Sequence, residues 1–345
     1  MTKGQKPREL RRIPVFVLTG FLGSGKTTLL SRLIRSHGME GTLVVINEFG
    51  EVGLDHLLVE ATNEQTILMD SGCVCCTMRS DLAETLSDVA LRIARGELPV
   101  IHRIVLETTG LADPGPVLQT LVGDPMVAAS FRLGGMWSTV DAVHAGSTLD
   151  RYAESRRQIA MADLLLITKA DIAPPATVEA LADRIMNLNG VARICDVHEA
   201  TDLSALLNET SSDPSLRSEK VKESEDEHHQ GSAHAAAHLH DEHIRSLSVS
   251  YSGSIALRYV ASFLEDLVRD HGEQILRIKG VVAIAGREAP IAMHGVQHLL
   301  HPPVPLDGWA DSDRTSRIVF IMDGLDPSLV KSRFDAWLNT TPRAL

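Results

Sequence analysis

At 345 residues the chain exceeds what one hydrophobic core usually holds, so two domains are expected. A 44% hydrophobic and 23% charged content suits a globular protein with a sizeable core, and a net charge of -12 argues against nucleic acid, which requires a basic footprint. No apolar run approaches the length of a membrane span and the N-terminus lacks signal-peptide features, so a cytoplasmic protein with no membrane partner is expected.

Residues 1–12 are basic and polar and read as a flexible tail. Ile13–Leu18 then opens an alternation of short apolar runs with helical patterns, as in a parallel sheet with crossover helices. Leu43–Ile46, Arg103–Leu106, Met136–Val140 and Leu164–Thr168 read as further buried strands, and Val191–Val197 as a last strand near the edge. Leu82, Leu86, Val89, Ala90 and Ile93 recur at helical spacing and form one apolar face, with Ser80 or Asp81 as candidate cap.

Directly after the first strand, Gly20-Phe-Leu-Gly23-Ser24-Gly25-Lys26-Thr27 fits the phosphate-binding pattern G-x-x-x-x-G-K-[ST] and leads into an amphipathic helix. The glycines let backbone N–H groups curl round phosphates, Lys26 supplies a cation to the β/γ oxygens, and the Thr27 hydroxyl is placed for Mg²⁺. Asn47-Glu48-Phe-Gly-Glu51 follows the second strand, where a switch loop would lie; Glu48 is a candidate ligand for Mg²⁺ or a transition metal, whereas Glu51 and Asp55 read better as solvated.

Cys73, Cys75 and Cys76 fall within four positions, more thiol than packing requires. In a chain without export features such a cluster points to metal binding or redox chemistry rather than disulfides. Cys73 and Cys75 point the same way in extended chain, Cys76 joins them if the chain turns, and a following helix start would favour thiolates. Three soft ligands suit Zn²⁺, Cu(I) or, with other donors, Co²⁺.

Glu107 ends a strand where a second acidic residue should approach the nucleotide's metal or its water shell, and Gly110 would bring a backbone N–H to the γ-phosphate. Asp141-Ala-Val-His144 offers a minor donor at another strand end. Thr168-Lys169-Ala-Asp171 resembles the guanine-reading N-K-x-D element. The Asp171 carboxylate can accept from both the ring N–H and the exocyclic amine of guanine, a donor pair that adenine lacks, and the Lys169 stem can cover the base plane. Thr168 stands where Asn is usual and is expected to lose the amide that braces the site.

After about Asn208 the composition turns polar, and residues 209–243 read as a flexible linker. Its His228, His229, His234, His238, His240 and His243 can capture borderline metals with weak, exchangeable coordination. A small α+β domain follows over 244–345: strand-like Ile244–Tyr251, a helix aligning Ile255, Tyr259, Phe263 and Leu267, strand-like Ile275–Ala285 and Arg317–Met322, and a closing helix over Pro327–Leu338.

The phosphate loop from Gly20 through Thr28, Asn47–Val52, Gly72-Cys-Val-Cys-Cys-Thr77, Glu107–Pro114, Asp141–His144, Lys169–Asp171 and the C-terminal strands together resemble the CobW-type family of P-loop GTPases, metal chaperones and insertases. The resemblance covers nearly the whole chain and implies an α/β P-loop domain over 13–208 with a CobW-like α+β domain behind it. It also implies Mg-GTP at the P-loop, zinc or cobalt at the three cysteines, and delivery to a client protein. Whether the chain associates with copies of itself stays open. Two rival readings use the same residues: a non-catalytic metal buffer or sensor, and a nucleotide-driven activator of a metalloenzyme such as nitrile hydratase.

Overall fold

The computed structural model describes residues 12–46, 66–68, 77–199, 205–207, 243–309 and 312–344. In the first part, seven strands form one sheet: β1 (Ile13–Gly20), β2 (Thr42–Ile46), β3 (Thr66–Leu68), β4 (Arg103–Glu107), β5 (Phe131–Asp141), β6 (Leu164–Thr168) and β7 (Arg193–Asp196). Their order is β3-β2-β4-β1-β5-β6-β7 and every pairing is parallel. The central strand shows why the sheet needs cover on both faces. Val15 and Val17 point into one core with Leu82, Leu86, Leu118 and Ile159, while Phe16 and Leu18 point into another with Leu29, Leu30 and Leu33.

The covering helices are α1 (Lys26–Ile34), α2 (Thr77–Ala94), α3 (Pro114–Gly123), α4 (Pro125–Ser130), α5 (Ala145–Arg151), α6 (Ala153–Met161) and α7 (Pro175–Leu188). Asp113 caps α3 by accepting from the Gly115 N–H at 2.9 Å, and Asp124 caps α4 in the same way through Met126 and Val127.

The second part is an antiparallel sheet backed by two helices. Its elements are β8 (Ile244–Tyr251), β9 (Ser254–Ile255), α8 (Leu257–His271), β10 (Ile275–Val282), β11 (Ile291–Val296), β12 (Leu299–Leu300), β13 (Val304–Pro305), β14 (Ser316–Asp323), α9 (Pro327–Thr340) and β15 (Arg343–Ala344). The sheet order is β12-β11-β10-β14-β8, with β13 on β11. Phe263, Leu264, Leu267, Val330 and Phe334 of the helices pack on Val249, Ile278, Ile318 and Phe320 of one sheet face.

The fold is thus an α/β domain with a parallel sheet followed by an α+β domain, as the sequence leads one to expect. Individual elements differ. The strand expected at Met136 begins at Phe131, because Phe131 and Leu133 pair with β1 ahead of the apolar run. The last strand of this sheet is confined to Arg193–Asp196, and the strand expected to reach Ala285 ends at Val282. Ile255 lies in β9 rather than on α8. Ser80 and Asp81 lie inside α2, which starts at Thr77, so neither caps it. β11 has no counterpart in the sequence reading; its His294-Gly295 interrupts the apolar run.

The other face of the C-terminal sheet lies on the first domain. Ile244, Leu276, Val296 and Ile321 join the core of the parallel sheet. At the centre of this contact is Asp163, between α6 and β6. Its Oδ1 lies 2.5 Å from Arg277 Nη2 and 2.8 Å from Lys279 Nζ, and its Oδ2 accepts from the Met136 N–H at 2.8 Å. The Arg277 and Lys279 side chains are only 5% and 2% exposed, so neither has water as an alternative partner. Burial alone would raise the Asp163 carboxyl, but the two cations hold it far below the usual carboxylate range.

His294 stands opposite Lys279 across the β10–β11 pair, and the His301 N–H donates to the His294 carbonyl at 2.9 Å. Burial first, then the neighbouring Arg277, push His294 down to about 3 and His301 down to about 4, so both imidazoles stay neutral.

Two outcomes are expected. Asp163→Ala strands two buried cations and should cost about 3–5 kcal/mol in chemical unfolding. The histidines bind a proton when unfolded but not when folded, so stability should fall as pH drops from about 6.5 to about 5. Asp163, depressed in the folded state, stays ionised across that window and adds no slope there. Unfolding curves of the native chain and of His294→Gln across those pH values check this: the substitution should flatten the slope.

Candidate nucleotide and metal site

All the described site residues gather at the C-terminal edge of the parallel sheet. β1 ends at Gly20, and a Cβ there would lie 2.2 Å from Thr139 Oγ1 and 2.6 Å from the Thr139 carbonyl oxygen of neighbouring β5. Only glycine lets the chain leave the sheet so close to β5. The loop then turns through Gly23 (φ 71°) and Gly25 (φ 91°) into α1. Ser24 Oγ and Thr139 Oγ1 share a 2.6 Å hydrogen bond that pins the loop to β5. Lys26 is buried, and its Nζ donates to the Gly20 carbonyl at 2.8 Å and to that of Phe21 at 3.2 Å, which holds the cation at the mouth of the loop. Thr28, next on α1, is exposed.

Glu107 ends β4 beside β1 and is 5% exposed. The Thr27 hydroxyl donates to its Oε1 at 3.2 Å, bringing together a hydroxyl and a carboxylate 80 positions apart. These are oxygen donors of the kind a hard divalent cation takes. Thr108 continues the strand by donating its N–H to the Leu18 carbonyl at 2.9 Å. Gly110 then lies against the phosphate loop: a Cβ there would sit 2.7 Å from the Leu22 backbone nitrogen.

The Gln158 amide of α6 is buried and donates to the Gly110 and Ala112 carbonyls at 3.2 and 3.0 Å. Next to it, Arg157 pairs at 2.8 Å with Asp113, directly after this loop, and at 2.8 Å with Asp323 of β14. The Gln119 amide also donates to the Gln297 side chain. The loop carrying Gly110 is therefore tied to the C-terminal domain through neighbouring residues of one helix. Nothing in the sequence pattern marks Arg157 or Gln158.

At the end of β6, Thr168 departs from the expectation of a lost brace. Its hydroxyl donates to the Ser24 carbonyl at 2.7 Å, so a shorter side chain ties this strand to the phosphate loop. Lys169 adopts φ 58°, and its Nζ donates to the Gly23 carbonyl at 2.9 Å and to Asp141 Oδ2 at 2.7 Å. Burial works to raise Asp141, but Lys169 and His144, whose Nδ1 lies 3.0 Å from the same oxygen, hold its carboxyl below the ordinary value. Asp171 follows with its side chain half exposed, facing His198.

Glu48, Cys73, Cys75 and Cys76, like the linker histidines before His243, lie outside the described residues. The described strands beside them end together: Ile46 of β2 pairs with Glu107 on one side and with Leu68 of β3 on the other. Glu48 follows Ile46 by two positions, and Cys76 directly precedes α2. Among the described residues no group of three or more His, Cys, Asp or Glu side chains could hold a metal, and no helix is long and apolar enough to cross a membrane.

Residues 14–196 match the profile of the CobW/HypB/UreG nucleotide-binding domain, and residues 244–338 that of the cobalamin synthesis protein cobW C-terminal domain. The chain is 31% identical over 323 residues to the zinc chaperone YjiA of Escherichia coli, covering 93% of this chain and 98% of that one. It is 26% identical over 361 residues to the zinc chaperone CobW of a Sinorhizobium species, covering 94% and 97%. The crystal structure of Zn(II)-bound YjiA GTPase from E. coli superposes with a TM-score of 0.67 at 26% identity, covering 94% of this chain and 99% of that one.

The Thr168 brace gives a direct expectation. Thr168→Val keeps the shape but leaves the Ser24 carbonyl without its donor, which should weaken GDP binding by about 1 kcal/mol, roughly fivefold. Thr168→Ser should bind like the native chain. Calorimetric GDP titrations of the three proteins decide it.

Proposed function

Because the chain belongs to the CobW-type family of P-loop GTPases, we propose that it is a GTP-hydrolysing metallochaperone that binds zinc and passes it to a metal-dependent client. The observation that carries this reading is the meeting of Thr27 and Glu107 at the mouth of a complete phosphate loop, beside β2, which leads to Glu48, with β3 on the far side of β2 leading toward the cysteines.

In this reading the P-loop amides from Gly20 to Thr28 and the Lys26 cation bind the phosphates and stabilise the charge that develops on hydrolysis. The Thr27 hydroxyl and Glu107 carboxylate hold Mg²⁺, which when bound neutralises charge on the β- and γ-phosphates. Glu107 also orients water. Gly110 brings its backbone N–H toward the γ-phosphate. At the other end of the site Asp171 reads guanine, and Lys169, anchored to Asp141 and Gly23, lays its stem along the base.

Cys73, Cys75 and Cys76, with Glu48 as a further donor, take the cargo metal. Zinc is favoured by the zinc chaperones among the relatives, and cobalt is the alternative that the thiolate set also accepts. GTP orders the Glu48 segment and completes the thiolate site; hydrolysis releases both, a two-state switch biased by the γ-phosphate.

Two measurements test this. Lys26→Ala should abolish GTP turnover while leaving the fold intact, as read by circular dichroism; normal turnover in the folded variant sinks the phosphate-loop assignment. Zinc should bind a few-fold to about a hundredfold more tightly with a non-hydrolysable GTP analogue than with GDP, and zinc should tighten the analogue by the same factor. Cys75→Ser should remove that linkage. Equal zinc affinity in both nucleotide states would leave a GTPase and a metal site that merely share a chain.

A further inference from the structure

The loop after β7 is held from two sides. The Val197 N–H donates to the Ile167 carbonyl of β6 at 3.0 Å, continuing the sheet, and Arg32 of α1 donates from Nη2 to the Val197 carbonyl at 3.2 Å. The His198 N–H donates to Asp196 Oδ1 at 2.8 Å, closing a tight turn. The loop so fixed presents the His198 imidazole to the residue proposed to read the base: Nε2 lies 3.0 Å from Asp171 Oδ1. The two side chains are 45% and 52% exposed, and they belong to the ends of adjacent strands.

A carboxylate recognises guanine only in one orientation. Its two oxygens must lie in the base plane, one for the ring N–H and one for the exocyclic amine. A carboxylate half exposed on a loop is free to turn out of that plane, and binding must then order it. An ionised carboxylate has about four lone-pair sites, so one donor to Oδ1 leaves a further site on each oxygen for the base. Lys169 does not do this work, because its Nζ is committed to Asp141 and Gly23.

We propose that His198 is a specificity-determining positioning residue, its Nε2–H fixing the plane of the Asp171 carboxylate for the two donors of guanine. This rests on the guanine-reading role given to Asp171 above. The role requires a donor at that distance, not an imidazole as such, so a side chain that places an amide N–H there should serve in its stead.

The test measures GDP, IDP and ADP affinity for the native chain, His198→Ala and His198→Gln, by calorimetry at one pH. IDP keeps the ring N–H but lacks the exocyclic amine, so it uses one carboxylate oxygen where GDP uses both. His198→Ala should bind GDP about three- to tenfold more weakly and IDP and ADP within about twofold of native, a selective loss of one oriented hydrogen bond to a charged group. His198→Gln should recover most of the GDP affinity. In an Asp171→Asn background His198→Ala should have no further effect on GDP.

A native chain that binds GDP and ADP alike would overturn the guanine reading, and this inference with it. Guanine preference that survives His198→Ala unchanged overturns this inference alone. So does an equal loss for all three nucleotides, or a failure of the glutamine variant to recover.

Discussion

Burial of a seven-stranded parallel sheet on both faces is the constraint from which the site follows. Alternate residues of β1 feed two separate cores, so polar side chains are kept out of this strand until Thr19. They collect where the strands end. Gly20, Glu107, Asp141 and Thr168 each close a strand, and the order β4-β1-β5-β6 sets them side by side. The chain runs from β1 to one side of the sheet and later to the other, opening the crevice where such sheets bind ligands. The short bonds Ser24–Thr139, Thr27–Glu107 and Thr168–Ser24 are consequences of that register.

How much of this the sequence discloses depends on whether a residue's role is written into its own neighbourhood. The phosphate loop is legible because glycines, lysine and threonine at fixed spacing after a strand leave few other conformations. The same holds for the apolar strands and for α2. Thr168 shows the limit: a missing amide reads as a lost brace, yet the hydroxyl reaches the Ser24 carbonyl because the strand end already lies within reach. His198 carries no local signal at all. Its relation to Asp171 comes from β7 pairing beside β6, a contact between segments that no spacing rule connects.

The charged residues of β10 illustrate the intermediate case. Arg277 and Lys279 in an otherwise apolar strand announce that something buried must meet them, since cations are not enclosed without a partner. That the partner is Asp163 is not readable, because an aspartate between a helix and a strand resembles any polar turn. The anchor it makes is close to the functional edge. Asp163 directly precedes the strand that ends at Thr168, and Arg157, on the helix just before it, joins Asp113 to Asp323. Changes in the loop at Gly110 therefore act on the same α6 that grips the C-terminal domain.

The placement of Asp163 also bears on how such a protein can change through evolution or engineering. A C-terminal domain grafted from a relative would bring its own residues to positions 277 and 279, while the carboxylate that neutralises them stays behind in the recipient. If the donor's strand carried no cations there, the graft would enclose a lone aspartate; if the recipient lacked the aspartate, it would enclose two cations. The seam between the domains is thus no neutral cut point, and a workable chimera must carry position 163 across together with β10.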